Sequence, residues 1–130
     1  MNVKNQTAAD RTIIFVVPSL ACEYIGIELL SSLVQTHCRM SVRVAATQAV
    51  LFRQLARAPR AFVGFSTYSA YAADYVRLAQ EIKRRFPEAV CLCGGPHATF
   101  CPEMIEADGI DGVCIGEAED ALVEFFTTYD

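Results

Sequence analysis

Short runs of unbroken apolarity alternate with longer amphipathic stretches along this chain. Thr12-Ile13-Ile14-Phe15-Val16-Val17 is apolar and largely β-branched, and it stops at Pro18. Ala61-Phe62-Val63-Gly64-Phe65-Ser66 and Ala89-Val90-Cys91-Leu92-Cys93 are of the same kind, and Gly112-Val113-Cys114-Ile115 is a shorter one. Continuous apolarity predicts strands covered on both faces, as in a parallel sheet. Ser41-Val42-Arg43-Val44-Ala45-Ala46 alternates instead, which predicts a strand nearer an edge.

The stretches between read as helices. In the clearest, from about Tyr71 to Phe86, Tyr75, Leu78, Ala79, Ile82 and Phe86 fall on one stripe. Asp74, Arg77, Glu81, Arg84 and Arg85 face the other way, and Pro87 closes the segment. Tyr24 to Thr36 has Glu28 as its only charge, so that helix needs cover on more than one side. Gln48 to Arg57 makes a third helix, ended before Pro59. Pro102, at a first-turn position, opens a short one that stops at Gly109. Ala118 to about Tyr129 makes the last, with Glu119 and Asp120 near its positive end.

The order is therefore β-α five times over. It predicts an α/β three-layer sandwich with a five-stranded parallel sheet, right-handed crossovers and helices on both faces. The expected strand order is the flavodoxin-like (Rossmann-like) 2-1-3-4-5. At 130 residues the chain has room for one domain, over 11–130, and the polar first ten residues read as a disordered N-terminal tail. That tail lacks the apolar core of a signal peptide, and no apolar run is long enough to span a membrane. A soluble, cytoplasmic protein is expected. The formal net charge of -4 argues against a nucleic-acid or membrane partner, which would usually want a basic face. Six cysteines invite a disulfide reading, but Cys91, Cys93 and Cys114 sit in strand-like runs and Cys22, Cys38 and Cys101 near segment ends. Without a secretory signal, free and mostly buried thiols are expected.

In open α/β sheets ligands bind at the carboxyl ends of the strands, near the switch point between the first and third. Those ends read Pro18-Ser19-Leu20, Ser66-Thr67-Tyr68-Ser69, Gly94-Gly95-Pro96-His97-Ala98-Thr99 and Gly116-Glu117, so small, hydroxyl and glycine residues gather on one edge. A phosphate-accepting receiver domain would need acids after the first strand and an Asp after the third, where Pro18 and Ser66 stand. A flavodoxin phosphate loop is missing after the first strand, and neither G-x-G-x-x-G nor G-x-x-x-x-G-K-[ST] occurs.

Ser66, then Gly94-Gly95-Pro96-His97-Ala98-Thr99, then Ile115-Gly116-Glu117-Ala118-Glu119 form an ordered set. In it, and over about Arg11 to Tyr129, the sequence resembles the cobalamin (vitamin B12)-binding domain at the N-terminus of cobalamin-dependent radical SAM enzymes. That group contains methyltransferases and anaerobic Mg-protoporphyrin IX monomethyl ester cyclase-like proteins. The resemblance implies a non-catalytic cofactor domain whose partner is a radical SAM catalytic domain, in the same chain or a separate subunit, carrying a 4Fe-4S cluster and S-adenosylmethionine. The cysteines of this chain nowhere take the C-x-x-x-C-x-x-C spacing that such a cluster needs. The chain stops at Asp130, about where a linker to that domain is expected.

On this reading Gly94 and Gly95 let backbone approach a nucleotide tail, and Ser66 hydrogen-bonds the buried base or its linker. Thr67 and Ser69 meet corrin amides or phosphate, with Pro96, Gly116 and Glu117 beside them. The plain alternative for each is turn chemistry. His97 contacts the cofactor or shapes the loop; zinc ligation with Cys91, Cys93 and Cys101 is disfavoured, because residues two apart on a strand share one face, here the core. Glu117 and Glu119 suit either the cleft or the positive end of the last helix. Methionine-synthase-like relatives carry D-x-H-x-x-G after the first strand, and the loop Pro18 to Gly26 has no His. His37 falls at the far end of the first helix. The resemblance therefore implies base-off cobalamin without a histidine ligand from this loop; Glu23 or Tyr24 are the residues that could approach the lower face. The rival reading is an interaction module that has lost cobalamin, with Leu20, Tyr24 and Ile25 filling the groove; a cysteine-based metal or redox sensor is a third, without metal-spaced pairs to support it.

Overall fold

A computed structural model describes residues 11–21 and 24–128, with Ile25 described in its backbone alone. Residues 1–10, on which the expected tail falls, Cys22, Glu23, Tyr129 and Asp130 lie outside the described residues.

Five parallel strands form one sheet: β1 (Thr12–Val16), β2 (Ser41–Ala45), β3 (Phe62–Ser66), β4 (Val90–Gly94) and β5 (Gly112–Val113). Their order is β2-β1-β3-β4-β5, the flavodoxin-like arrangement, with the alternating β2 at one edge. The long helices are α1 (Ile25–Cys38), α2 (Gln48–Arg57), α3 (Ala72–Arg85) and α5 (Glu119–Thr128). The fourth connection differs from the expected single helix after Pro102. A short α4 (Pro96–Phe100) begins directly behind Gly95, and Pro102–Glu106 is a 3-10 segment. Pro96 and Pro102 each open their helix in the first turn, where the missing N–H is no loss.

Strand alternation divides the core in two. Ile14, Val16, Val63, Phe65, Cys91 and Cys93 pack against α2 and α3, where Tyr75, Ala79 and Ile82 are buried as the stripe requires. The polar side of α3 carries ion pairs between Asp74 and Arg77 and between Glu81 and both Arg84 and Arg85. On the other face Ile13, Phe15, Val17 and Phe62 meet Val34 of α1 and Phe126 of α5. Phe62 and Phe126 pack edge to face with ring centroids 4.8 Å apart. The weakly charged α1 thus finds its second cover in α5, its neighbour on that face. Lys83 locks the edge away from the strand carboxyl ends. Its ammonium donates to the Ala89 carbonyl at 2.7 Å and to Asp111 at 2.9 Å, and the same Asp111 oxygen accepts from the Cys91 amide at 2.8 Å.

Candidate cofactor-binding site

The face towards α1 and α5 is short of side chains where the others are full. In register across the sheet, Phe15, Gly64, Leu92 and Gly112 lie side by side, and one level nearer the strand carboxyl ends Ser66 pairs with Gly94. Glycine and serine in the middle strands leave a trough, roofed by α1 and α5. The result is a cavity of about 480 Å³, within the usual size of small-molecule sites. Gly26, Ile27 and Leu30 line it from α1, Glu119 and Leu122 from α5. It lies where the strand order reverses, the crevice in which open α/β sheets take their ligands.

The glycines of this edge divide into two kinds. Gly95 has φ +88°, and a Cβ there would stand 2.9 Å from the Thr67 amide nitrogen. It is glycine because the turn needs it, with or without a ligand. At Gly94 a Cβ would meet nothing nearer than the Cys114 Cβ at 3.9 Å, and at Gly26 nothing within 4 Å. Their missing side chains are cavity volume. Gly64 is intermediate: the Phe15 ring folds over it, 2.9 Å from where a Cβ would stand.

Of the residues singled out from sequence, Ser66, Gly94, Gly95, Pro96 and Gly116 line the cavity. Thr67, Ser69, His97 and Glu117 do not. Thr67 is fully buried and ties two loops together. Its amide donates to the Gly94 carbonyl at 2.8 Å, its carbonyl accepts from the His97 amide at 2.9 Å, and its hydroxyl donates to the Phe65 carbonyl at 3.3 Å. Ser69 Oγ and His97 Nδ1 are 3.0 Å apart, clipping the loop after β3 to α4. Glu117 is exposed. The Gly116 amide donates to Thr99 Oγ1 at 3.0 Å, so its N–H is already engaged, and its φ of +77° favours glycine besides leaving the cavity mouth clear.

Sequence reading did not single out Gly26, Gly64, Tyr68, Cys114, Leu30 or Leu122 as lining residues. Gly64 carries a legible signal, an isolated glycine inside an apolar strand, which marks close approach of another group. The helix residues carry none, because only the packing of α1 beside α5 turns them to one space. The Leu20 side chain does not fill the groove, being 72% exposed. Tyr24 lines the cavity and leaves it open; the Ile25 side chain lies outside the described residues.

The thiols here are not poised for ionic chemistry. Burial pushes Cys93 up to about 11 and Cys91 up to about 12, the latter helped by the Asp111 carboxylate. Both side chains are buried in the α2/α3 core; Cys91 does not reach the cavity, and Cys93 borders it. Burial, with Glu119 nearby, also raises the Cys114 thiol. Cys38, Cys91, Cys93, Cys101 and Cys114 are all free, and among the described residues no three His, Cys, Asp or Glu side chains come together as a metal site. No described helix is long and apolar enough to cross a membrane.

Comparison with known protein families matches residues 11–126 to the B12 binding domain. The chain belongs to that family. No curated protein matches it. Among solved structures it is similar to a CheY-like protein, TadZ, from Pseudomonas aeruginosa PAO1, at 12% identity and a TM-score of 0.67, covering 92% of this chain and 95% of that one. At that identity the likeness is one of fold. Cobalamin is the cofactor the family implies, and the cavity of this B12-binding domain fits one part of it. A nucleotide tail needs a slot with apolar walls and a polar, small-residue mouth. The trough offers Phe15, Leu30, Leu92 and Leu122 inside and Ser66, Gly94 and Gly116 at the opening.

Proposed function

We propose that this domain holds cobalamin base-off, with the nucleotide tail in the trough between the sheet and the α1/α5 layer, and presents the corrin to a radical SAM catalytic domain. The observation that carries this reading is the trough itself, open to its floor beneath a mouth of Ser66, Gly94 and Gly116. A tail held in the trough, away from cobalt, supports the base-off form; the histidines support a cobalt without a histidine ligand. The chain has two, and neither lines the cavity: His97 bonds Ser69, and His37 is exposed in the last turn of α1. Radical SAM partnership is supported by the ordered Ser66, Gly94-Gly95-Pro96-His97 and Gly116-Glu117-Ala118-Glu119 set.

Bound there, cobalamin would supply a methyl carrier or a cobalt centre for one-electron steps. The chain's own residues bind and orient it. Gly94 and Gly26 leave room, Ser66 offers a hydroxyl at the mouth, and the apolar walls exclude water from the tail. Thr67 and Gly95 hold the turn in shape, and the Ser69–His97 pair with Glu117 meets the corrin periphery. No residue of this domain acts as a catalytic acid or base in this reading; the partner, with its 4Fe-4S cluster and S-adenosylmethionine, does the chemistry.

The test is titration of the protein with hydroxocobalamin, gel filtration, and the visible spectrum of the protein peak. Retained cobalamin with a base-off spectrum is expected, and Gly94→Val, which fills the mouth, abolishes retention while leaving the thermal midpoint in place. A base-on spectrum would remove the tail from the trough. No retention at all would favour the cofactor-free interaction module.

A further inference from the structure

The cavity changes chemistry with depth. Its upper level presents polar atoms: Ser66 and Cys114 from the sheet side, Tyr24, Tyr68 and Glu119 from the loops and helices around them. One level down stand Phe15, Gly64 and Leu92, with Ile13 below, and Leu30 and Leu122 face them from α1 and α5. None of these side chains has a hydrogen-bond donor or acceptor. The backbone offers none in compensation, because β1, β3 and β4 are each paired on both sides in the parallel ladder. A polar group carried to this floor stays unpaired, and an unsatisfied buried donor or acceptor weakens binding roughly tenfold to a hundredfold.

Corrinoid cofactors differ at the end of their nucleotide tail, the part that would reach this floor. Some end in a benzimidazole bearing only hydrogen or methyl on its ring; others end in a purine with an exocyclic amine and additional ring nitrogens. Resting on the reading that the tail enters the trough, we infer that this domain selects its corrinoid by the lower base, taking the methylated benzimidazole and rejecting the purine. Leu30, Leu92 and Leu122 are the specificity-determining residues. They offer the ring methyls apolar contact and leave a purine amine without a partner. Off cobalt, either base brings one free imidazole nitrogen; the purine adds an amine and further ring nitrogens that the floor leaves unpaired, and the discrimination rests on that difference.

The test compares the protein's affinity for three ligands by equilibrium dialysis with visible detection: cobalamin, the adeninyl cobamide, and cobinamide, which lacks the nucleotide altogether. Cobalamin is expected to bind at least tenfold tighter than the adeninyl form. Leu122→Gln, which places an amide against the cavity from the half-exposed α5, is expected to narrow that gap by improving the adeninyl form relative to cobalamin. Leu30→Gln, on α1, is the second variant if Leu122→Gln fails to fold. Equal binding of cobalamin and the adeninyl form, with cobinamide weaker, would overturn the selection while keeping the tail in the trough. Equal binding of all three would take the tail out of the trough and overturn the inference, with corrinoid binding intact. Binding of none would refute the cofactor reading, and the inference with it.

Discussion

The two faces of the sheet are built from the same five strands and do opposite work. Towards α2 and α3, every level is filled: Val16, Phe65 and Cys93 in one row, Ile14, Val63 and Cys91 in the next, sealed by Tyr75, Ala79 and Ile82. Towards α1 and α5, the same strands contribute Gly64, Ser66 and Gly94, and the space they leave is a cavity of about 480 Å³. The filled face supplies stability, and that lets the other face keep a void. A single-residue alternation separates them, so a strand such as Phe62–Ser66 can be core on one side and binding floor on the other.

The sharpest way to break this contrast is to hollow the filled face. Phe65→Ala removes a fully buried ring that packs on Tyr75 at 5.1 Å, and is expected to cost about 3–5 kcal/mol in denaturant unfolding. Leu122→Ala, on the wall of an existing cavity, is expected to cost about 2 kcal/mol at most, near the low end for such truncations. Equal costs would mean that the two faces are equally packed.

The adjacent glycines separate turn from trough within two residues. Gly95→Ala forces a side chain into a positive-φ conformation against the Thr67 backbone and is expected to destabilise by about 2 kcal/mol. Gly94→Ala, whose Cβ meets only ordinary contact, is expected to change stability by less than about 1 kcal/mol. Thermal melts of the two variants decide it.

Alkaline pH probes the filled face. Cys91 and Cys93 keep their protons in the folded protein up to about 12 and about 11, whereas in the unfolded chain they lose them near the ordinary 9.0. The unfolded state therefore binds fewer protons above 9.0, and stability is fully present below that pH and falls above it. Each such thiol contributes a slope of about 1.4 kcal/mol per pH unit. A Cys91→Ala/Cys93→Ala variant should lose stability less steeply over the same range in urea melts; an unchanged slope would assign the effect elsewhere.

The smallest expected effect concerns Tyr75. Its hydroxyl is buried with no hydrogen-bond partner among the described residues, and burial with Tyr24 and Tyr71 nearby pushes the phenol up to about 12. Tyr75→Phe removes the orphan and is expected to stabilise by up to about 1 kcal/mol. A loss instead would reveal a partner that the hydroxyl finds in solution.

Much of this was legible in the chain. Unbroken apolar strands alternating with amphipathic helices specify a doubly covered parallel sheet, because only burial on both faces tolerates Ile13 to Val17 without a polar residue. Gln48–Arg57 starts and stops where its flanking residues indicate: the Thr47 side chain caps it, and Pro59 follows its end. The edge that gathers Ser66, Gly94 and Gly116 was likewise readable, since small residues at strand ends mark the ligand side of such sheets. The roles of individual residues there were not. Thr67 reads as a ligand contact from sequence, and nothing in the chain announces that it also ties two loops together; Gly94 and Gly95 read alike, and one is volume while the other is backbone geometry.

The sequence alone determined the elements, their order along the chain and the edge at which chemistry can occur, because periodicity and turn residues act over a few positions. Only the tertiary structure decided that Phe15 would fold over Gly64, that α5 would cover the second side of α1, and that Leu30 and Leu122 would face one another's space across the floor. A cavity is the place where side chains from distant segments fail to meet, and no local pattern of residues encodes that failure.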